Sequence, residues 1–212
     1  MRVIAGRYRS RTLMAPEGVS TRPTSDRLRE TLFNVLAPRI EGSVFADLYA
    51  GSGAVGIEAL SRGAVEVCFA EKDRAALDVL RRNLSALGIP QRSAEAAFVI
   101  EPRGVEALLT GSANARRSFD IVFLDPPYDD AVEYTRTLGF LARHAETWLR
   151  PGAVLIAEHR SKHPLAESYG DSACATRLER TRVLRQGDAS LSFYSAALAE
   201  PLEERVMKPV DA

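Results

Sequence analysis

Two short segments of the chain carry residue types that could hold and act on a small molecule. The first is DLYAGSGAVG, residues 47–56, and the second is DPPY, residues 125–128. The first contains the spacing G-x-G-x-x-G, in which glycines let the backbone approach a ligand and the following helix offers free N–H groups. The second sets a carboxylate and an aromatic ring on either side of two prolines, which fix the backbone between them. Both segments therefore predict binding sites.

The charges around the glycine segment narrow the choice of ligand. Glu71 follows Gly51 by twenty residues, the spacing at which a carboxylate can hold ribose hydroxyls. A dinucleotide such as NAD is one interpretation. Asp47, however, would repel a pyrophosphate and attract an ammonium group. S-adenosylmethionine offers an ammonium group and a ribose without phosphate, so the segment favours that cofactor.

The second segment suits the methylation of a planar amine. The exocyclic nitrogen of a base is a poor nucleophile because its lone pair is delocalised into the ring. The carboxylate of Asp125 and the carbonyl of Pro126 could accept its N–H bonds and localise that lone pair, while Tyr128 stacks on the base. A sulfonium methyl group is already a strong electrophile, so positioning and oriented acceptors suffice without a strong base.

The elements that must position these residues alternate between strands and helices. The apolar pattern predicts strands at 44–48, 65–70, 97–100, 119–124 and 153–157. It predicts helices at 26–36, from the glycine turn through 60, and at 74–87, 104–109 and 131–149. Pro38 should end the first helix, residues 2–14 should form a short hairpin, and 178–184 with 190–197 an antiparallel hairpin. Such a chain forms a mostly parallel sheet with helices on both faces, and its ligand lies beyond the carboxyl ends of the strands.

Composition is that of one soluble domain, with charge distributed unevenly. The chain has 212 residues and 28 basic against 28 acidic side chains, yet residues 1–39 hold eight Arg and three acids, a net charge of +5. Two cysteines and the absence of metal-ligand spacings predict no disulfide framework and no metal site, and favour the cytoplasm. The apolar runs are too short for a membrane span.

A longer pattern carries a family resemblance. The run RPTSDRLRETLFN at 22–34 is preceded by IAGRYRSRTL at 4–13, and both occur with the two segments above and Glu71. Together they resemble the bacterial 16S ribosomal RNA guanine-N2 methyltransferase family, over residues 2 to about 196. The resemblance implies a class I, Rossmann-like methyltransferase with a seven-stranded sheet, acting as a monomer on the small ribosomal subunit or its precursor.

The resemblance also implies roles for particular residues. Asp47, Gly51 and Gly53 would hold the methionine end of S-adenosylmethionine, and Glu71 its ribose. The predicted cofactor set is completed by Tyr49, Ala50, Ser52 and Lys72, and the target guanine would meet Asp125, Pro126, Pro127 and Tyr128. Members of the family have a polar residue near the adenine after the third strand, where this chain offers Glu101, Arg103 and Gly104.

The basic N-terminal region predicts an RNA-binding unit. Arg7, Arg9, Arg11 and Arg22 are its candidate phosphate contacts, because arginine binds phosphate bidentately. Asp26 with Arg29, at i,i+3 on the first helix, is expected to form a surface pair. The expected units are residues 1–39 for RNA, 40–198 for methyl transfer, and a frayed tail at 199–212.

Three other functions stay open at this point. The DPPY segment also suits adenine-N6 methylation of DNA, although the chain has no large insertion to recognise a DNA target. The glycine segment also suits a nicotinamide-dependent oxidoreductase. A non-catalytic RNA-binding protein is the fourth hypothesis.

Overall fold

The computed structural model describes residues 1–15, 26–111, 117–126, 131–170 and 175–198. The strands in these ranges are β1 Val44–Leu48, β2 Glu66–Ala70, β3 Ala97–Glu101, β4 Phe119–Leu124, β5 Leu149–Arg160, β6 Ser168–Tyr169, β7 Thr176–Gln186 and β8 Ala189–Leu198. The helices are α1 Asp26–Ile40, α2 Ala54–Ser61, α3 Arg74–Ala86, α4 Val105–Thr110, α5 Ala131–Arg143 and α6 Ala145–Trp148. None of these helices has the length and apolar character needed to cross a membrane.

The strands form one sheet in the order β3-β2-β1-β4-β5-β8-β7-β6. The first five strands in that order are parallel, whereas β5 with β8, β8 with β7 and β7 with β6 are antiparallel. The mostly parallel sheet expected from the sequence is therefore confirmed. The expected count of seven strands is wrong, because a two-residue strand, β6, pairs with the outer side of β7.

Helices cover both faces of the sheet. One apolar core lies under α1, α2 and α3, and includes Phe33, Phe45 and Ile57. The other lies under α4, α5 and α6, and includes Leu108, Leu138 and Trp148. Because strands of a parallel sheet point the same way, the turns after β1, β2, β4 and β5 all meet at one edge.

Three predicted boundaries are wrong. Pro38 lies inside α1 rather than after it: it falls in the last turn, where the buried Ile40 packs into the core. The single helix expected at 131–149 is divided at His144, whose non-helical φ of −118° and ψ of 29° separate α5 from α6. β5 begins at Leu149, before Pro151-Gly152, because a register shift between Phe119 and Ile121 of β4 accommodates both residues.

The first fifteen residues, here called the N-terminal arm, fold back on themselves. A single antiparallel bridge joins Arg2 to Thr12, and the Val3 amide donates to the Arg11 carbonyl at 3.0 Å. The Leu13 amide also donates to the Met1 carbonyl at 3.0 Å, so the predicted short hairpin forms around one bridge. Val3 and Leu13 are buried in the same core as α1, so the arm packs against the sheet-covering helices.

Candidate active site

Carboxylates of four neighbouring strands lie at the carboxyl edge of the sheet. Asp47 is the penultimate residue of β1, and Glu71 directly follows β2. Leu48 of β1 pairs with Leu124 of β4, so Asp125 follows at the next position, and Ala157 of β5 brings Glu158 beside it. The edge predicted from the sequence therefore does bring Asp47, Glu71 and Asp125 together.

Asp47 is almost completely buried. The residue is 2% exposed, and its Oδ2 accepts a hydrogen bond from the Gly56 amide at 2.8 Å. Burial raises the pKa of this carboxyl to about 8, with a smaller contribution from Glu71, while the Gly56 hydrogen bond opposes the shift. A cationic ligand group beside Asp47 would favour its ionised form.

The turn after β1 requires its glycines for different reasons. Gly53 has φ +78°, and a Cβ there would lie 2.2 Å from Leu80 Cδ1. A Cβ on Gly56 would lie 2.2 Å from the Phe69 ring. Gly51 also has a positive φ, but a Cβ there would meet nothing within 4 Å. Gly53 thus lets the turn pack closely against α3, and Gly56 lets α2 pack closely against β2, whereas Gly51 faces open space where a ligand can approach.

Glu71 organises the turn from the neighbouring strand. Its Oε2 accepts from the Gly51 amide at 2.7 Å, and its Oε1 accepts from the amides of Lys72 and Asp73 at 2.8 Å each. Ala50 is tied to the same strand, since its amide donates to the Ala70 carbonyl at 3.0 Å. The carboxylate therefore fixes the shape of the glycine turn as well as being a candidate for ribose hydroxyls.

Tyr49 adopts an uncommon backbone conformation at the start of the turn. Its φ of +65° is left-handed, which costs a non-glycine residue roughly 1–2 kcal/mol. Its hydroxyl lies 2.7 Å from Glu133 Oε2 and 2.9 Å from Thr137 Oγ1, both on α5. Burial raises the pKa of this phenol. The side chain of Tyr49 thus connects the turn to α5, and a role in cofactor binding would fall to its backbone.

Asn83 connects the turn to the N-terminal arm. Its Nδ2 donates to the Ser52 carbonyl at 2.9 Å, and its Oδ1 accepts from the Met14 amide at 2.8 Å. Asn83 is a buried polar residue on an otherwise apolar helix face, and that was the only signal of its role in the sequence.

Asp125 and Pro126 mark the target side of the site. The Asp125 amide donates to the Leu48 carbonyl at 3.4 Å, its side chain is half-buried, and Pro126 is buried. Pro127 and Tyr128 lie outside the described residues. Behind Asp125, the Tyr134 hydroxyl donates to the Glu158 carbonyl at 2.6 Å, and burial followed by the charges of Asp125 and Glu158 raises its pKa. Tyr134 and the buried Glu158 were missed as site residues.

The corner after β3 is closed by an internal ion pair. Arg103 donates to Glu101 through Nε at 2.8 Å and through Nη2 at 3.1 Å. Glu101 is buried, and its carbonyl accepts from the Glu71 amide at 3.2 Å. Gly104 lies against Lys72, since a Cβ there would be 3.2 Å from Lys72 Cβ. Glu101, Arg103 and Gly104 therefore border the cofactor side of the edge.

The structure places the arginines of the arm away from this edge. The Arg7 amide donates to the Ser61 carbonyl at 2.8 Å, at the end of α2. Arg11 Nη2 donates to the Ala86 carbonyl at 3.1 Å, at the end of α3. Both helices start at the carboxyl edge and return to the amino ends of the next strands, so their last residues lie at the opposite edge. Arg9 is exposed in the same loop, and Arg22 lies outside the described residues.

Two buried charges hold the arm. Glu58 of α2 is fully buried and accepts from the Ile4 amide at 2.7 Å, the Ala5 amide at 3.0 Å and Arg62 Nε at 2.7 Å. Arg29 is also fully buried, with Nη2 donating to Asp26 Oδ1 at 2.9 Å and to the Arg2 carbonyl. The expected pair of Asp26 with Arg29 does form, but only Asp26 lies at the surface, because the arm covers the guanidinium.

The strand order and the site define the class of the protein. A doubly wound sheet that ends in antiparallel strands, with a glycine turn after β1 and acidic residues at its carboxyl edge, is the class I methyltransferase fold. The solved structure of the Escherichia coli protein yhhF matches with a TM-score of 0.72 at 30% identity, covering 92% of this chain and 96% of that one.

The comparison of sequences gives the family. The family described as Conserved hypothetical protein 95 matches residues 1–195, and the chain belongs to it. Ribosomal RNA small subunit methyltransferase D of Escherichia coli strain K12 is 39% identical over 165 residues, covering 78% of this chain and 77% of that protein. The protein of the same name from Haemophilus influenzae is 38% identical over 165 residues, covering 78% and 81%.

Proposed function

We propose that the protein transfers a methyl group from S-adenosylmethionine to the exocyclic N2 of a guanine in 16S ribosomal RNA. The observation that carries this proposal is the register that sets Asp125-Pro126 beside the Asp47 turn and Glu71 at one edge of the sheet. The names of its relatives, which are ribosomal RNA small subunit methyltransferases, support RNA of that subunit as the substrate.

The residues at the edge fit this cofactor. Asp47 offers a buried carboxyl for an ammonium group, Gly51 faces open space, and Glu71 offers carboxylate oxygens for ribose hydroxyls. Two carboxylates next to the glycine turn disfavour a pyrophosphate, so the site favours S-adenosylmethionine over a nicotinamide dinucleotide. Tyr49, Ala50, Ser52, Gly53 and Lys72 complete the proposed set through their turn geometry.

When bound, the cofactor supplies an activated methyl group. The chain's own contribution is to orient the acceptor: the Asp125 carboxylate and the Pro126 carbonyl accept the two N–H bonds of the amine, so that its lone pair points at the methyl group. Pro127 would fix that backbone and Tyr128 would stack on the base. After transfer, the extra amine proton leaves to solvent or to Asp125, so no dedicated strong base is needed.

The proposal also covers where the protein acts and which regions contact RNA. The protein would act as a monomer in the cytoplasm on the small subunit or its precursor, with residues 1–39 contributing RNA contacts through Arg7, Arg9, Arg11 and Arg22. Residues 40–198 would form the methyl-transfer unit, and 199–212 a tail outside it.

The test is methyl transfer from labelled S-adenosylmethionine to small subunits, their precursors and protein-free 16S RNA from cells that lack the enzyme. We expect label in 16S RNA, recovered as N2-methylguanine at one mapped nucleotide. Label in adenine of duplex DNA alone would establish the DNA alternative instead. Binding of NAD rather than S-adenosylmethionine in calorimetry would favour the oxidoreductase. If the Asp125→Ala variant kept the protein's full effect in cells, the protein would be a non-catalytic RNA-binding protein.

A further inference from the structure

Beyond Asp125, the carboxyl edge continues over β5, β8 and β7. Arg185 of β7 pairs with Ser190 of β8, and Ser190 pairs with His159 of β5. His159 follows Glu158, the residue beside Asp125. Arg185 therefore lies at nearly the same level along the strands as Asp125, three strands away, which corresponds to about 14 Å at the usual strand spacing.

Five basic side chains surround this end of the sheet, and we call them the basic rim. Arg160 ends β5, Lys162 lies in the turn after it, and Arg182 and Arg185 lie near the end of β7. Arg27 joins them from α1, because Thr31 one turn later bonds Gln186 at the end of β7 at 3.1 Å. Asp26, beside Arg27, pairs with the buried Arg29, and the other acidic side chains next to the rim in α1 and in the hairpin turn are Glu30 and Asp188. Five positive charges therefore stand against two negative ones.

The two ends of β7 use their arginines differently. At its start, Arg177 donates to Ser168 Oγ at 2.9 Å, and Arg180 pairs with Glu167 at 3.0 Å. At its end, Arg182 and Arg185 are exposed, and within the described part of the chain neither of them forms an ion pair. Their partners on β8 are Phe193 and Ser190, which lie on opposite faces of the sheet. Positive charge is therefore present on both faces at the end of the hairpin.

The turns that carry the rim are fixed to each other. The Ser161 amide donates to the Asp188 carbonyl at 2.8 Å, and Ser161 Oγ lies 2.8 Å from Ser190 Oγ. His159 Nδ1 faces the carbonyls of Arg160 and His163 at 3.0 Å each, so it carries the hydrogen, and Nε2 accepts from Ser192 Oγ at 2.8 Å. These bonds hold the basic side chains on a rigid base before any ligand arrives, which lowers the entropic cost of binding.

We propose that the basic rim binds the phosphates of the RNA strand that flanks the target nucleotide. This inference rests on the proposed function, because the target must enter at Asp125. Arginine and lysine beside the entry point would hold the backbone while the acidic site itself repels it. A strand running from Asp125 across β5 and β8 to β7 would meet Lys162 and Arg185 within a few nucleotides.

The test compares two triple charge reversals that change the net charge equally. The rim variant carries Lys162→Glu, Arg182→Glu and Arg185→Glu. The control variant carries Arg81→Glu and Arg82→Glu in the second half of α3 and Arg92→Glu before β3, all exposed and at the other end of the sheet. Affinity for protein-free 16S RNA and for the subunit is measured as a function of salt, together with KM and kcat. Thermal unfolding and binding of S-adenosylmethionine show that both variants are folded.

We expect the rim variant to lose at least about tenfold in RNA affinity, with a salt slope smaller by about 2, as three phosphate contacts to a single strand would give. KM should rise by a similar factor while cofactor affinity stays unchanged. Equal losses in the rim and control variants would overturn the inference, since only net charge would then matter. A loss of affinity for assembled subunits, with normal affinity for protein-free RNA, would also overturn it, because the rim would then bind a ribosomal protein. Failure of the unmodified protein to methylate any RNA would instead overturn the proposed function.

Discussion

The N-terminal arm and the basic rim are both arginine-rich and both contain tight turns, yet they differ in position. The arginine-bearing loop of the arm lies away from the carboxyl edge, which the arm reaches only through Met14 and Asn83, whereas the rim lies at that edge. The arm is bound to the last residues of α2 and α3 through Arg7 and Arg11, beside the amino ends of the strands. The rim lies at the carboxyl edge, from β5 beside Asp125 to β7 three strands away. Charge in the sequence therefore identifies candidate RNA contacts, whereas topology decides which of them can flank the reacting base.

The arm and the rim also differ in what holds them. A fully buried carboxylate, Glu58, accepts two amides of the arm and one guanidinium. The turns under the rim are held by hydroxyls, backbone carbonyls and one imidazole. Burial of paired charge makes the arm part of the folded core, so we expect its removal to affect stability first and RNA binding second.

The largest expected effect comes from a substitution at the carboxyl end of β4. Asp125→Ala removes the proposed acceptor at the carboxyl end of β4, and we expect kcat to fall on the order of 10³-fold, as when one oriented group is lost from an active site. Affinity for S-adenosylmethionine, measured by calorimetry, should change little because Asp47 and Glu71 are intact.

Asp120 at the other end of β4 gives the matched control. Its Oδ2 accepts from the Val44 amide at 2.7 Å and from Arg150 at 2.9 Å, and Asp120→Asn keeps one acceptor oxygen. We expect nearly normal turnover from this variant. A comparable loss in both variants would mean that the strand's stability, and not the carboxyl edge, determines activity.

Much of this architecture could be predicted from the sequence because it depends on local patterns. Short apolar runs bounded by glycine and charge marked β1 and β4 to the residue, and the carboxylates that follow β2 and β4 identified the ligand edge. Where tertiary packing overrides local preference, the prediction failed. Pro38 is tolerated because Ile40 is buried beyond it, and Ser168–Tyr169 becomes a strand only because β7 offers an open edge.

The site was predictable in its acidic residues and not in its connections. Asp47, Glu71 and Asp125 carry carboxylates, and their chemistry can be inferred from the residue type alone. Tyr49 with Glu133, and Asn83 with Ser52, act through pairs far apart in the chain, and nothing in either local segment indicates its partner. Arg29 has the spacing of a surface pair, and it is buried only because the arm folds over it.

The next effect tests whether the arm is part of the core. Glu58→Gln places an amide group against one of the arm's N–H donors and removes the charge beside Arg62, so we expect a loss of about 3 kcal/mol in the free energy of unfolding. Glu95→Gln is the control, because Glu95 meets Arg7 at 3.4 Å with 71% of its side chain exposed, and should cost less than about 0.5 kcal/mol. Urea unfolding measures both, and equal losses would contradict the buried role of Glu58.

A smaller effect concerns the pH dependence of the carboxyl edge. Since burial raises the pKa of Asp47 to about 8, the group is protonated at pH 6 in the free protein and must lose its proton to pair with an ammonium group. Affinity for S-adenosylmethionine should therefore rise between pH 6 and 7.5, by up to about tenfold per unit. The same raised pKa means that Asp47 stabilises the ligand-free fold most at low pH, and that this contribution is lost as pH rises toward 8.

Asp47→Asn removes this titration. In calorimetry at pH 6.5, the unmodified protein should release close to one proton on binding, detected as a dependence of the heat on buffer ionisation, and Asp47→Asn should release none. Proton release that persists in Asp47→Asn would assign the titration to another group.

The smallest expected effect concerns RNA binding by the arm compared with RNA binding by the basic rim. Arg9→Glu with Arg11→Glu reverses two charges of the arm, and both lie at the amino edge, separated from Asp125 by the length of a strand, roughly 17 Å for five residues. RNA that reaches the arm must extend past the catalytic edge, so these contacts can add to affinity without positioning the base. We expect RNA affinity to fall about threefold, with a salt slope smaller by about 1 and an unchanged kcat. A loss equal to that of the rim variant would place the main RNA path over the arm and reverse the ranking of the two regions.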